Sequence, residues 1–144
     1  MNKWHNRFIN QAYTVAEWSK DKNTKVGCVV VGEDRRILDA SYNGFPRGVD
    51  DSIIERYERP TKYIFTQHAE RNAIDNCARD GVAMRGATMY VTLMPCHECA
   101  RSIIQAGIKM VVYSENESER FKESSENARI MFKEANVELI KIEI

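Results

Sequence analysis

A chain of 144 residues, 43% hydrophobic, closes one core and is too short for several, so a single domain over 1–144 is expected. Its 21 basic and 21 acidic residues cancel, which removes the bulk field that draws DNA or RNA and favours a small-molecule substrate. The start "MNKWHNRFIN" lacks a secretory apolar run and no stretch nears the roughly 20 apolar residues of a membrane span, so a cytoplasmic protein without membrane contact is expected.

Trp4, Phe8, Ala12, Val15 and Trp18 recur at three- and four-residue steps, the stripe of an amphipathic helix that ends in "SKDKNTK". "VGCVVV" (26–31) is a β-branched run, and the turn "GEDRR" leads to a second strand around Ile37 to Tyr42. The glycines and proline of "NGFPRGVDD" (43–51) make a loop, and no periodicity is sustained as far as Thr66. A helix is expected from Ala69 to about Arg79, stopped by Asp80–Gly81. The strand "ATMYVTL" (87–93) follows, then a helix over 97–106 stopped by Gly107, and the strand "KMVVY" (109–113). A helix carrying Phe121, Ala128, Met131, Phe132 and Ala135 precedes the last strand, "VELIKI". Strands and helices alternate in the second half, which implies parallel neighbours covered by helices. The expected fold is α/β, three layers (α/β/α) around a mixed five-stranded sheet.

The stretch "MPCHEC" (94–99) sets Cys96 and Cys99 one turn apart at a helix start, where unpaired N–H groups favour thiolate. In a reducing compartment four cysteines read as ligands or buried thiols, not as a disulfide scaffold. "QHAERNAI" (67–74) puts His68 at another helix start with Glu70 two residues on, and in an open α/β sheet both starts lie beyond the carboxyl ends of strands. His68, Cys96 and Cys99 are then three ligands for zinc. The fourth position is left to water, as a catalytic zinc requires, and the metal makes hydroxide available near neutrality, with Glu70 as proton carrier. A structural zinc cluster with a fourth protein ligand is the competing reading, and Glu70 could be only a helix-start carboxylate. His97 points about 100° away from its neighbours and is expected to face off the metal, His5 to be solvated, and Cys28 and Cys77 to be buried apolar groups.

"HAE" (68–70) and "PCHEC" (95–99) match the H-x-E and P-C-x-x-C signature of zinc nucleobase deaminases. Together with "WSKDKNTKVG" (18–27), "SYNGFPRGVDD" (41–51) and "CARSIIQAGIKMVVY" (99–113), they make the chain resemble the deoxycytidylate deaminases of the cytidine/deoxycytidylate deaminase superfamily. The resemblance implies hydrolysis of dCMP to dUMP and ammonia, supplying dUMP for thymidylate synthesis. It implies Glu70 as the one carboxyl that takes a proton from water, protonates N3 and then protonates the departing amine.

The same resemblance implies substrate contacts at the Ala69 N–H, the segment around Pro95 and the Asn43 side chain on the sugar hydroxyl; Tyr113, at a strand end facing the same rim, is expected to pack on the base or sugar. Phosphate contacts are expected from Lys22 and Lys25, or from Arg47 in the loop exposed by Gly44 and Gly48. In relatives such a loop also serves regulatory dCTP (activating) and dTTP (inhibiting), and the usual assembly is a hexamer. Many members carry a second zinc site before H-x-E. Residues 51–67 hold no His or Cys, so one zinc per chain is expected, and His97 stands where many members have proline. Rival readings are a bifunctional dCMP/dCTP deaminase, which keeps every residue named; a tRNA adenosine deaminase, which needs a basic surface; and a nucleotide sensor without turnover. Nucleoside cytidine deaminases usually place cysteine where His68 stands.

Overall fold

The computed structural model describes residues 2–144. Helix α1 (Lys3–Ala16) starts at Asn2, whose side chain accepts the Trp4 N–H at 2.8 Å and so satisfies one of the helix's orphan donors. Strands β1 (Gly27–Val31) and β2 (Ile37–Tyr42) form the expected hairpin. After a short helix α2 (Lys62–Phe65) come α3 (Ala69–Asp80), β3 (Thr88–Leu93), α4 (His97–Gln105), β4 (Met110–Glu115), α5 (Lys122–Glu134) and β5 (Glu138–Lys141). Gly81 closes α3 in the left-handed region at φ 72°, which only glycine adopts freely.

The sheet runs β2-β1-β3-β4-β5. β1 is antiparallel to both neighbours, and β3, β4 and β5 are parallel, which is the expected mixed five-stranded sheet. Alternation along each strand sends side chains to opposite faces. Val29, Val31, Tyr90 and Val112 pack on Phe8, Ile9 and Ala12 of α1. Cys28, Val30, Met89, Val91 and Val111 pack on Ala73, Ile103 and Phe132 from α3, α4 and α5. The sheet is therefore buried on both faces, which is why "GCVVV" shows no polar alternation.

Four expectations change, the first being that Phe121 and Ala135 flank α5 rather than lie in it, with Ala135 exposed. α1 stops at Ala16, and Trp18 lies 61% exposed with its ring edge-on to Tyr42, because the turn that follows swings it away from the core. Residues 51–66 are not one loop: a 3-10 turn (Ile54–Tyr57), a cis Arg59–Pro60 bond and α2 lie there, each too short for periodicity to register. β4 runs on to Glu115, since its parallel register continues as far as the Leu93 partner.

α1 crosses β1 with almost no clearance. A Cβ on Gly27 would stand 1.8 Å from the Ala12 carbonyl oxygen, so this glycine is there for close approach. Gly27→Ala is expected to cost at least about 3 kcal/mol, read from the denaturation midpoint, because backbone rather than a flexible side chain must yield.

Candidate active site

α3 and α4 begin side by side beyond the carboxyl end of β3, with His68 and Cys96 at their N-cap positions. His68 Nδ1 lies 3.5 Å from Cys96 Sγ and 3.4 Å from Cys99 Sγ, and all three donor atoms are within 4.8 Å of one another. Zn–S and Zn–N bonds of ordinary length place tetrahedral ligand atoms about 3.6 Å apart, so the donor set fits zinc in chemistry and in size. Electrostatics agree. Hydrogen bonds from Cys99 and His68 hold the Cys96 thiol down to about 3, whereas the Cys96 sulfur and burial drive the Cys99 thiol upward. Two thiolates side by side oppose each other unless a cation lies between them. Bonding to Cys96 lifts His68 to about 9.

Glu70 follows in the first turn of α3 and is 4% exposed. Burial pushes its carboxyl up to about 7, against the pull of His68. A carboxyl poised there exchanges protons near neutral pH.

His68, Glu70 and Cys96 border a cavity of about 490 Å³ whose walls come from the ends of β3 and β4 and from the 21–26, 59–66 and 115–121 segments. Its size suits a small organic ligand. Asn43 also borders it, and its side chain pins the wall: Oδ1 accepts the Val26 N–H at 2.9 Å and Nδ2 donates to the Thr24 carbonyl at 2.9 Å. One Nδ2 hydrogen stays available for a ligand. Lys25 is on the rim, 3.9 Å from Glu17.

Other expected residues lie elsewhere. Tyr113 is buried among the side chains facing α4 and α5, not on the rim, because its register opposite Val91 points it into that layer. Lys22 is exposed and does not border the cavity. Arg47 donates at 2.6 Å to Oδ1 of Asn76, an α3 residue that also bonds Asp39 and Ser41 of β2, and Gly48, at φ 84°, has open space around it. Gly44 exchanges backbone hydrogen bonds with Gln67 and borders a separate 90 Å³ cavity with Trp18, Tyr42 and Phe45. Ala69 is fully buried, and the Pro95 carbonyl accepts the Ser125 hydroxyl at 3.2 Å, so these two sit behind the cavity wall.

His97 faces away from the sulfurs as expected, its Nδ1 2.7 Å from Ser124 Oγ. His5 is not simply solvated: its Nδ1 lies 2.9 Å from the Tyr90 hydroxyl, and burial lowers its pKa. Cys28 and Cys77 are buried free thiols, as expected.

A buried ion pair at the wall has no counterpart among the sequence expectations. Lys62 Nζ lies 3.0 Å from Asp21 Oδ2, both residues are under 9% exposed, and Asp21 Oδ1 accepts the N–H groups of Asn23 and Thr24. Burial alone would raise the Asp21 carboxyl, but these donors and the ammonium outweigh it and hold it below the usual range. The Asp21-x-Asn-Thr turn was legible as an Asx turn. Lys62 carried no signal, because a lysine is buried only by what folds around it.

The family model for the cytidine and deoxycytidylate deaminase zinc-binding region matches residues 2–115. A Caenorhabditis elegans protein named probable deoxycytidylate deaminase is 42% identical over 121 residues, 81% of this chain and 60% of that protein's length. The human deoxycytidylate deaminase is 38% identical over 142 residues, covering 94% of this chain and 77% of its own. The crystal structure of dCMP deaminase from the cyanophage S-TIM5 in complex with dCMP and dUMP superposes with a TM-score of 0.82 at 26% identity, covering 99% of this chain and 98% of the other.

Proposed function

This chain belongs to the cytidine and deoxycytidylate deaminase family, and on that premise we propose that it hydrolyses the 4-amino group of dCMP, giving dUMP and ammonia. The observation that carries the reading is the buried Glu70 carboxyl beside an imidazole and two sulfurs at one end of a nucleotide-sized cavity. The cyanophage relative, which binds dCMP and dUMP, supports the choice of substrate.

His68 Nδ1 and the sulfurs of Cys96 and Cys99 would hold zinc, which supplies Lewis acidity that brings the pKa of water toward neutrality. Glu70 moves the protons. As carboxylate it accepts one from the water that adds to C4 and delivers it to N3; it then accepts the second, from the hydroxyl now on C4, and delivers it to the departing amine as C4 becomes a carbonyl. The sum is dCMP plus water giving dUMP plus ammonia, and Glu70 ends in the form in which it began. Burial raises its carboxyl from the usual range, which favours uptake of the protons it carries. Asn43 orients the sugar with its remaining amide hydrogen, from a position fixed by its two backbone bonds.

The same reading makes the chain a homo-oligomer, supported by the exposed apolar side chains of Trp18, Ile54 and Ile64, and gives it a cytoplasmic place in nucleotide metabolism. Among the described residues no helix is long and apolar enough to cross a membrane. The decisive measurement is ammonia release from dCMP, dCTP and deoxycytidine, with and without added dCTP as effector, on protein of known zinc content. Release from dCMP in proportion to zinc is expected. Metal-loaded protein that releases none from any pyrimidine nucleotide would end the reading.

A further inference from the structure

Four cations border the cavity, and they differ in what already holds them. Lys25 leans toward Glu17. Arg59 has no carboxylate within ion-pair distance among the described residues, and Arg120 reaches only the Tyr63 hydroxyl, at 3.3 Å. Lys62 is the informative one. It is 6% exposed yet borders the cavity, and of its three N–H donors only the one to Asp21 meets a protein acceptor among the described residues. An anionic ligand seated in the cavity that Lys62 borders can supply charge-assisted acceptors to the remaining N–H groups. Because Asp21 shares its charge with the N–H groups of Asn23 and Thr24, it orients the ammonium without fully cancelling it. Arg59 and Lys62 lie on one short segment, and the Tyr63–Arg120 contact ties that segment to the 119–121 turn. Three cations thus gather on one side of the cavity, none of them part of the His68–Cys96–Cys99 group.

We propose that Lys62, with Arg59 and Arg120 on the same rim, receives the 5′-phosphate of the substrate, and that Asp21 is the positioning residue that holds the ammonium toward it. The inference rests on the deaminase reading only for which nucleotide enters. It replaces Lys22 and Arg47 in that role, since neither reaches the cavity.

Binding separates this inference from catalysis. Metal-loaded protein is titrated with dUMP and with deoxyuridine, which differ only in the phosphate. Lys62→Met is expected to weaken dUMP about 30-fold and leave deoxyuridine unchanged within about twofold, the loss of one charge-assisted hydrogen bond. Asp21→Asn is expected to lower the same dUMP preference by a smaller factor. Should Lys62→Met not fold, the Arg59→Gln/Arg120→Gln double variant carries the test, because both side chains are exposed, and it too is expected to lose dUMP selectively. Equal loss of both ligands, no loss of either, or a wild-type chain that binds both alike overturns the seat. A wild-type chain that prefers dUMP but releases no ammonia from dCMP refutes the deaminase reading and supports the seat.

Discussion

Glu70→Gln is expected to lower turnover on dCMP by about three to four orders of magnitude while zinc content and thermal midpoint stay close to wild type. The amide has the shape of the carboxyl and is neutral, like the protonated half of a group already held near 7, so the 4% exposed site accepts it without an unpaired buried charge. It has no ionisable proton to exchange, so both transfers assigned to Glu70 stop. Stopped-assay kinetics, elemental analysis and circular dichroism on one preparation decide the matter. Residual turnover within tenfold of wild type would take the proton-carrier role from Glu70 and leave it a helix-start carboxylate.

Cys99→Ala is expected to empty the metal site and abolish activity with it. A structural zinc binds with about 10–16 kcal/mol, so dividing that among its ligands leaves about 3–5 kcal/mol for one sulfur, roughly a thousandfold in affinity. Cys99 is fully buried with Sγ 3.4 Å from His68 Nδ1, and it is one of only three donors in that group among the described residues. Cys28→Ala and Cys77→Ala are the controls: their thiols are buried in the core beside α3, so their loss changes packing and leaves zinc stoichiometry alone. Unchanged zinc in the Cys99 variant, or zinc lost equally from the controls, would show that the ligand set is wrong.

The two variants report on different links of one arrangement. The first keeps the ligand donors and removes the proton carrier; the second removes a donor and keeps the carrier. Their combination distinguishes a chemical defect from an empty site, which activity alone does not.

Sequence reasoning reached the thiol–imidazole–carboxyl group because each half is local. The spacing in "PCHEC" places two sulfurs on one face of a helix start, "HAE" does the same for an imidazole and a carboxyl, and strand–helix alternation brings such starts to one edge of a sheet. The layers were legible too, since "GCVVV" without polar alternation has to be covered on both faces. Tyr113 was misplaced for an equally physical reason. A strand's period of two says that it faces opposite to Val112, but the parallel register with β3 decides which side carries α4 and α5.

What the chain determined by itself was therefore what a sustained period or a short motif spacing records: the longer helices and the strands, the two-sided sheet and the donor set. Only the tertiary structure decided which cations meet the cavity. Lys22, Lys25, Arg47, Arg59, Lys62 and Arg120 are alike as residues. A one-turn helix docked on an Asx turn 41 positions away buries Lys62, while Arg47 is drawn to Asn76, which does not border the cavity. Burial of a charge depends on partners distant in sequence, and local spacing carries no record of them.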